Sequence, residues 1–240
     1  MKLTLSLLAA IGGMTLAQAG SILASWDTFT AGGASTTGNL TVDLVKQSPG
    51  GSIENGSLIL SPNTERAWVD ISSLNMNLRT GSYSFEMDVT GLKLNNGPIF
   101  SLTSGNYNTQ TAAFGFSNQG NLWAFSNNGN NMSVKGSAGS MSTTYSGKLT
   151  VNFLTENGQN YVEAFLDDAT LVSKTAITYS SAASANNNLT GLTLGGWGST
   201  SGNGSELTIN SLIISQIPEP ATASLGLLGL AALCMRRRRA

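Results

Sequence analysis

Hydrophobic and polar residues alternate over many short stretches of this 240-residue chain. Within Ser82–Val89, bulky apolar side chains occupy positions 83, 85, 87 and 89, whereas polar side chains occupy positions 84, 86 and 88. A period of two is typical of a β-strand that buries one face and exposes the other. Residues 20–217 show no convincing helical periodicity, so we predict strands throughout this region. The predicted strands are Ser21–Phe29, Ser57–Leu60, Ala67–Ile71, Ser82–Val89, Pro98–Thr103, Thr111–Ser117, Leu122–Phe125, Lys148–Thr155, Tyr161–Leu166, Leu171–Thr178, Leu189–Gly195 and Glu206–Ser215.

Turn-forming residues separate these strands. The chain has 28 Gly and 23 Asn, two residue types that tolerate positive φ. Asn157-Gly158 lies between two predicted strands and favours a tight hairpin. Asp167-Asp168-Ala169 and Asn118-Gln119-Gly120 separate two further pairs of strands. About a dozen short strands joined by tight turns predict an all-β fold with antiparallel sheets, either a sandwich or a barrel.

The first 19 residues have the pattern of a secretory signal peptide. Lys2 supplies a positive charge, residues 3–16 are almost entirely apolar, and Ala17-Gln18-Ala19 forms an A-x-A cleavage site. Cleavage after Ala19 would leave Gly20 as the new N-terminus. A buried N-terminal helix is the alternative, and Gly12-Gly13 disfavours it. We therefore expect an exported protein whose signal helix occupies residues 1–19.

The last 24 residues have three parts in a fixed order. Pro218-Glu219-Pro220 interrupts regular structure, because proline lacks a backbone donor. Residues 221–235 carry no charge, and Arg236–Arg239 follow them. As a transmembrane helix this stretch would be about 22 Å long, short for a bilayer core of about 30 Å. The arginines would stay cytoplasmic under the positive-inside rule, with the rest of the chain outside.

This tail resembles the PEP-CTERM sorting signal of Gram-negative bacteria. The matching parts are Pro218-Glu219-Pro220, Leu225–Leu233 and the basic end made by Arg236, Arg237, Arg238 and Arg239. The resemblance implies that a membrane-embedded, exosortase-type enzyme processes the tail and passes the protein to the cell surface or an extracellular polysaccharide matrix. An ordinary tail anchor is the alternative. Cys234 lies in the apolar stretch, either as a small buried residue or as a lipid-modified one.

A second resemblance concerns the later part of the β-rich region, residues 145–216. Tyr161-Val-Glu-Ala-Phe-Leu-Asp-Asp followed by Leu171-Val-Ser resembles the central hairpins of concanavalin A-like, laminin-G-like sandwiches. Leu192-Thr-Leu-Gly-Gly-Trp-Gly and the strand that begins at Glu206 resemble the closing strands of that family. The resemblance implies an antiparallel jelly-roll sandwich over residues 20–216, between a signal peptide (1–19) and a sorting tail (217–240). Many functions share this fold.

The residue composition excludes several kinds of chemistry. The chain has no His and one Cys, which excludes Ser-His-Asp and Cys-His catalysis, His-ligated metal sites and an intrachain disulfide. Residues 20–217 contain seven basic and twelve acidic residues, although the whole chain has a net charge of −1. Because this body is acidic, we expect no nucleic-acid partner.

Glu86 and Asp88 are the candidate catalytic pair. They project from the same face of one predicted strand, about 6.5–7 Å apart along the chain. Glycosidases use two carboxylates about 5–10 Å apart, so the spacing permits glycoside hydrolysis. Some sandwich glycosidases carry a third acid on such a strand, and Glu86-Met-Asp88-Val-Thr-Gly91 lacks it. A solvated strand face is the alternative interpretation.

Asp167 and Asp168 are the candidate metal ligands. Ca²⁺ takes about six to eight oxygen ligands, and Asn157, Asn160 and Asn186–Asn188 can add amide oxygens. No segment has the ligand spacing of a known calcium loop. Aspartate also favours hairpin turns for backbone reasons, so a structural turn is the alternative. We expect no other cofactor.

Trp197, Trp123 and Tyr107 are candidate sugar-binding residues. Aromatic rings stack on sugars, while neighbouring amides and carboxylates bind sugar hydroxyl groups. Glycines flank Trp197, and asparagines flank Tyr107. Packing in the core is the alternative for each ring.

Three functions fit the sequence. The first is a non-catalytic, lectin-like exported protein that binds polysaccharide at the cell surface or in a matrix. The second is a glycoside hydrolase or lyase on the same sandwich, and the missing third acid counts against it. The third is a structural adhesin or self-assembling coat. Whichever of these functions the protein has, we expect an inner-membrane intermediate, held by the C-terminal helix, before the tail is processed.

Overall fold

The computed structural model describes most of the β-rich region. The described residues are 20–44, 51–60, 65–93, 97–104, 110–116, 122–125, 131–132, 144–177, 188–195 and 207–218. They form fifteen strands and one 3-10 turn at Ser72–Leu74. The strands are β1 Ser21–Trp26, β2 Val42–Asp43, β3 Ser52–Glu54, β4 Ser57–Leu60, β5 Ala67–Asp70, β6 Ser82–Lys93, β7 Gly97–Thr103, β8 Gln110–Phe116, β9 Leu122–Phe125, β10 Asn131–Met132, β11 Thr144–Glu156, β12 Gln159–Leu166, β13 Ala169–Ile177, β14 Gly191–Leu194 and β15 Leu207–Ile217.

Each of the twelve predicted strands overlaps an observed strand, which confirms the all-β prediction. The sequence missed β2, β3 and β10. These strands have two, three and two residues, too few for a visible alternation. Their pairing with longer neighbours defines them, and that information is absent from their own segments.

The strands form two antiparallel sheets. The first sheet has eight strands in the order β13-β12-β11-β6-β15-β4-β3, and β1 also pairs with β15. The second sheet has seven strands in the order β10-β9-β8-β7-β14-β5-β2. The structure therefore favours a sandwich-like arrangement of two sheets over a single closed barrel.

The two inner faces meet in an aromatic core. Phe85 of the first sheet stacks on Phe100 of the second, with ring centroids 5.1 Å apart. Phe153, also from the first sheet, meets Phe100 edge-on at 6.2 Å. Along β6, the four apolar residues at positions 83, 85, 87 and 89 are all buried, as their alternation predicts. Each such buried side chain contributes about 1.5–3 kcal/mol to folding.

The predicted hairpins are confirmed by strand pairing. Glu156 pairs with Gln159 across the turn between β11 and β12. The two turn residues, Asn157 and Gly158, have φ values of 51° and 77°, as a type I′ turn requires. β12 pairs with β13 and β8 pairs with β9, although residues 118–120 lie outside the described residues.

The two predicted terminal helices, at residues 1–19 and after Pro220, also lie outside the described residues. Within the part of the chain that the structure describes, no helix has the length and apolar character needed to cross a membrane.

Candidate functional site: a groove at the edge of the second sheet

Strand β5 presents two kinds of side chain to the two faces of the second sheet. Ala67 and Val69 are fully buried in the core between the sheets. Because side chains alternate along a strand, Trp68 and Asp70 project from the opposite, outer face. Asp43 of β2 lies beside Trp68 on one side, and Thr193 of β14 lies beside it on the other. Residues opposite each other in neighbouring strands share a face, so these three side chains form a row.

This row is accessible at one end. Thr193 is 4% exposed, and Ser101 on the next strand is 2% exposed. Asp43, on the edge strand β2, is exposed. A ligand would therefore approach this part of the outer face from the β2 edge.

A groove with a volume of about 690 Å³ opens at this edge. This size is within the range of small-molecule sites, about 300–1,000 Å³. The lining includes the exposed polar residues Asn39, Thr41, Asp43 and Asp70, together with Trp68. It therefore combines carboxylate, amide and hydroxyl groups with an apolar surface.

The loop that forms one wall of the groove is held by several hydrogen bonds. The backbone N–H of Leu40 donates to Oγ of Ser35 at 2.8 Å, and the N–H of Ser35 donates to the carbonyl of Leu40 at 2.7 Å. A β-bridge joins Thr37 to Ser25 of β1. Gly38 has φ 87° and lies against β1, where a side chain would meet the carbonyl of Leu23 at 2.6 Å. These contacts pre-form the wall.

Trp68 forms the floor of the groove rather than an open platform. Its side chain is 4% exposed and its indole ring lies over Gly191, where a Cβ atom would overlap the ring. Asp70 also lines the groove. Oδ1 of Asp70 accepts two hydrogen bonds from Ser72, one from its backbone N–H at 3.0 Å and one from its Oγ at 2.6 Å. This fixes the 3-10 turn that follows β5.

Comparison with known families identifies the end of the chain. Residues 216–239 match the family model described as the PEP-CTERM protein-sorting motif. The chain carries a PEP-CTERM sorting motif. The prediction made from Pro218-Glu219-Pro220 and the terminal arginines is thereby confirmed. The motif begins at Gln216, so it overlaps the last two residues of β15.

Comparison with solved structures supports the β-sandwich. The binding domain of botulinum neurotoxin serotype D has a TM-score of 0.54 at 14% identity, covering 87% of this chain and 50% of that one. Trypanosoma rangeli sialidase has a TM-score of 0.54 at 9% identity, covering 80% of this chain and 30% of that one. The chain thus spans half or less of these structures, and the likeness concerns the fold. No curated protein sequence matches the chain significantly.

The candidate catalytic pair lies on the first sheet. Glu86 and Asp88 project from the outer face of the first sheet, opposite the buried face of β6. Oε2 of Glu86 accepts a hydrogen bond from Nζ of Lys148 at 3.1 Å. The structure therefore places this pair apart from the groove, and catalysis by it stays a prediction.

The candidate metal ligand Asp167 binds the backbone. Its Oδ1 accepts a hydrogen bond from the N–H of Lys148 at 2.8 Å, and its own N–H donates to the carbonyl of Lys148 at 2.8 Å. Its carboxylate lies against Gly147, where a Cβ atom would overlap it. These contacts support the structural-turn interpretation. Asp168 is exposed at the same turn, and no group of three acidic or Cys side chains suited to a metal lies within the described stretches.

Most of the other predicted residues lie outside the described part of the chain. Trp197 and Tyr107 do, and Trp123 is described through its backbone, which pairs with Gly115. Ala17 and Ala19 at the predicted cleavage site and the sorting residues after Pro218 also lie outside it.

The residues of the groove were not predicted from the sequence. One pattern could have found Trp68 and Asp70: in Ala67–Asp70, the apolar residues at positions 67 and 69 alternate with these two. An aromatic ring and a carboxylate on the outer face of a strand indicate a candidate sugar site. Asp43 had no such pattern, because β2 has two residues.

Proposed function

We propose that this exported, PEP-CTERM-sorted protein binds polysaccharide non-catalytically in the groove at the β2 edge, at the cell surface or in an extracellular matrix. The sorting motif implies export and membrane-associated processing. The observation that carries the binding proposal is the groove itself, in which exposed Asn39, Thr41 and Asp43 face a pre-formed pocket floored by Trp68.

The chemistry of the lining suits a sugar. Sugar hydroxyl groups donate to carboxylates and exchange hydrogen bonds with amides and hydroxyls, all of which the groove offers. The small exposed part of Trp68 and the half-buried Leu44 add apolar contact for the C–H groups of a sugar ring. Among the solved structures of similar fold are a receptor binding domain of botulinum neurotoxin D and a sialidase in complex with sialic acid. At 16% and 10% identity these structures share the fold with this chain, and the glycan proposal rests on the chemistry of the groove.

The edge strand β13, among the described strands of the first sheet, argues against a coat that assembles through this edge. β13 is the edge strand, and its pairing with β12 has two register shifts, one on each side of Ala164. Lys174 lies on this edge and forms an ion pair with Glu156. Bulges and edge lysines make a strand a poor template for another copy. These features favour a binding module over a polymer formed through β13.

A glycan-binding experiment tests the proposal. The protein, purified after tail processing, is screened on a polysaccharide panel and titrated with the best ligand by calorimetry. We expect Asp43→Asn to weaken binding about tenfold or more, because a hydrogen bond to a charged group is worth about 1.5–3 kcal/mol. Asp168→Asn, an exposed acid at a turn of the first sheet, is the matched control and should bind normally. Equal affinity of both variants, or no binding to any glycan, would contradict the proposal.

A further inference from the structure

The two ends of the β-domain meet at one corner. β1 and β15 pair antiparallel, so Ser21 lies opposite Gln216 and Ile22 lies opposite Ser215. Gly20 packs against the backbone of Gln216 so closely that a Cβ atom there would overlap the carbonyl oxygen. We call the group formed by Gly20–Ile22 and Gln216–Pro218 the terminal corner. The predicted signal cleavage site and the sorting tail therefore adjoin the same small surface.

The terminal corner is uncharged and partly apolar. Residues 20–26 and 207–218 contain no charged side chain. Ile22 is 54% exposed, and among the residues that the structure describes it is the one large hydrophobic residue that is exposed. Signal cleavage after Ala19 would add an α-amino group at Gly20, with an ordinary pKa of about 7.7–8.0, so it would be largely protonated at neutral pH. One apolar contact and one positive charge are suited to a bilayer surface with anionic headgroups.

The link between this corner and the membrane segment is short. β15 ends at Ile217, and the uncharged stretch of the tail begins at Ala221. The intervening Pro218-Glu219-Pro220 allows a separation of about 14 Å at most between these two Cα atoms, since an extended residue spans about 3.3–3.6 Å. Proline at two of these three positions also restricts the link to extended conformations.

We propose that the terminal corner lies against the anionic phospholipid surface while the tail is in the membrane, with Ile22 in contact with the headgroup region. This inference rests on the proposed sorting function, because it assumes that residues 221–235 insert. The domain would then be docked at the membrane in a defined orientation while the processing enzyme acts. The loop that walls the glycan groove packs along β1 next to this corner, with Gly38 against Leu23 and Thr37 bridged to Ser25.

Lipid quenching of a fluorescent label tests this orientation. The full chain is purified from membranes of a host that lacks the processing enzyme, so that the tail is retained, and its N-terminus is checked for Gly20. Ile22→Cys and, as the control, Asp168→Cys are made in a Cys234→Ser background and labelled with an environment-sensitive fluorophore. Each protein is placed in vesicles of equal parts phosphatidylcholine and phosphatidylglycerol that contain a headgroup-proximal nitroxide lipid.

We expect the label at position 22 to be quenched several-fold more strongly than the label at position 168. A flexible Gly/Ser segment of ten residues inserted between Ile217 and Pro218 should reduce this difference sharply, while flotation with the vesicles persists. Equal quenching at both positions in a chain that floats would overturn the docking alone. A chain that does not float would overturn the insertion of the tail and the docking with it. Cross-linking of two copies through position 22 without lipid would assign the corner to a dimer instead.

Discussion

The indole ring of Trp68 lies directly over the Cα atom of Gly191, on the outer face of the second sheet. Glycine at this position lets the ring lie flat against β14, where it forms the floor of the groove. Any side chain at position 191 would occupy the space of the ring. This pair thus connects the packing of two neighbouring strands with the shape of the proposed binding site.

We predict that Gly191→Ala moves the ring and reduces both stability and glycan affinity. Overpacking of this kind costs about 1–3 kcal/mol, measurable by chemical denaturation. Trp68→Leu should cost stability by itself but leave room for the methyl group. The double variant should therefore lose less than the sum of the two single losses, as expected for residues in contact. Strict additivity would show that the ring does not rest on Gly191.

Asp167 is predicted to stabilise the contact between the β12–β13 turn and β11 through its hydrogen bonds with the backbone of Lys148. Asp167→Ala should lower the free energy of unfolding by about 1–3 kcal/mol, since the N–H of Lys148 loses its acceptor and alanine tolerates φ 51° poorly. Asp167→Asn keeps an oxygen acceptor and the preference for positive φ, so it should be milder. Both variants should respond identically to Ca²⁺ and to EDTA. A melting temperature that Ca²⁺ raises in the wild type but not in Asp167→Asn would instead support a calcium site.

Glu86 is predicted to be dispensable for function and nearly so for stability. Its ion pair with Lys148 is partly exposed, and such pairs contribute about 0–1 kcal/mol. Glu86→Gln and Lys148→Met should therefore unfold at almost the same denaturant concentration as the wild type and bind glycan equally well. The measurement that tests for catalysis is the release of reducing sugars from the polysaccharide panel. Hydrolysis by the wild type that Glu86→Gln abolishes would establish the glycosidase alternative.

The mature chain is predicted to end after Ile217. β15 is paired with β6 over its length up to Ile217 and with β1 up to Gln216, so a processing enzyme reaches an unpaired backbone only beyond it. Mass spectrometry of protein released by the native host should show a C-terminal peptide that includes Ile217 and lacks Arg236–Arg239. Deletion of the processing enzyme should leave the full chain in the membrane fraction. Full-length chain in the released matrix would refute processing of the tail.

Local sequence features predicted the strands because their physical cause is local. The alternation of Tyr83, Phe85 and Met87 with polar residues reflects one apolar strand face, which the structure buries in the core. On the opposite, polar face, Ser84 is also buried, Glu86 is half-buried and Asp88 is exposed. Asn157-Gly158 predicted its hairpin because few other residues adopt φ values of 51° and 77° without strain. The PEP-CTERM motif was also readable, since its three parts are contiguous in the chain.

The groove was not predictable in the same way, because its parts are distant in sequence. Asp43, Trp68 and Gly191 are placed side by side by the strand order β2-β5-β14, and no local pattern specifies that order. The same holds for Ser21 and Gln216, which belong to the first and last described strands and meet through long-range pairing. Such pairings are selected by the packing of the whole core against the entropy of closing long loops.

The sequence by itself determined the all-β character of this protein, most of its strands, its hairpins and its sorting tail, because alternation, turn chemistry and a contiguous motif act between near neighbours in the chain. The tertiary structure alone decided the order of strands in the two sheets, the site of the groove, and the meeting of both ends at one corner. These features depend on which distant segments bury their apolar faces together. The free energy of the whole folded chain determines that pairing, and no single segment contains the information.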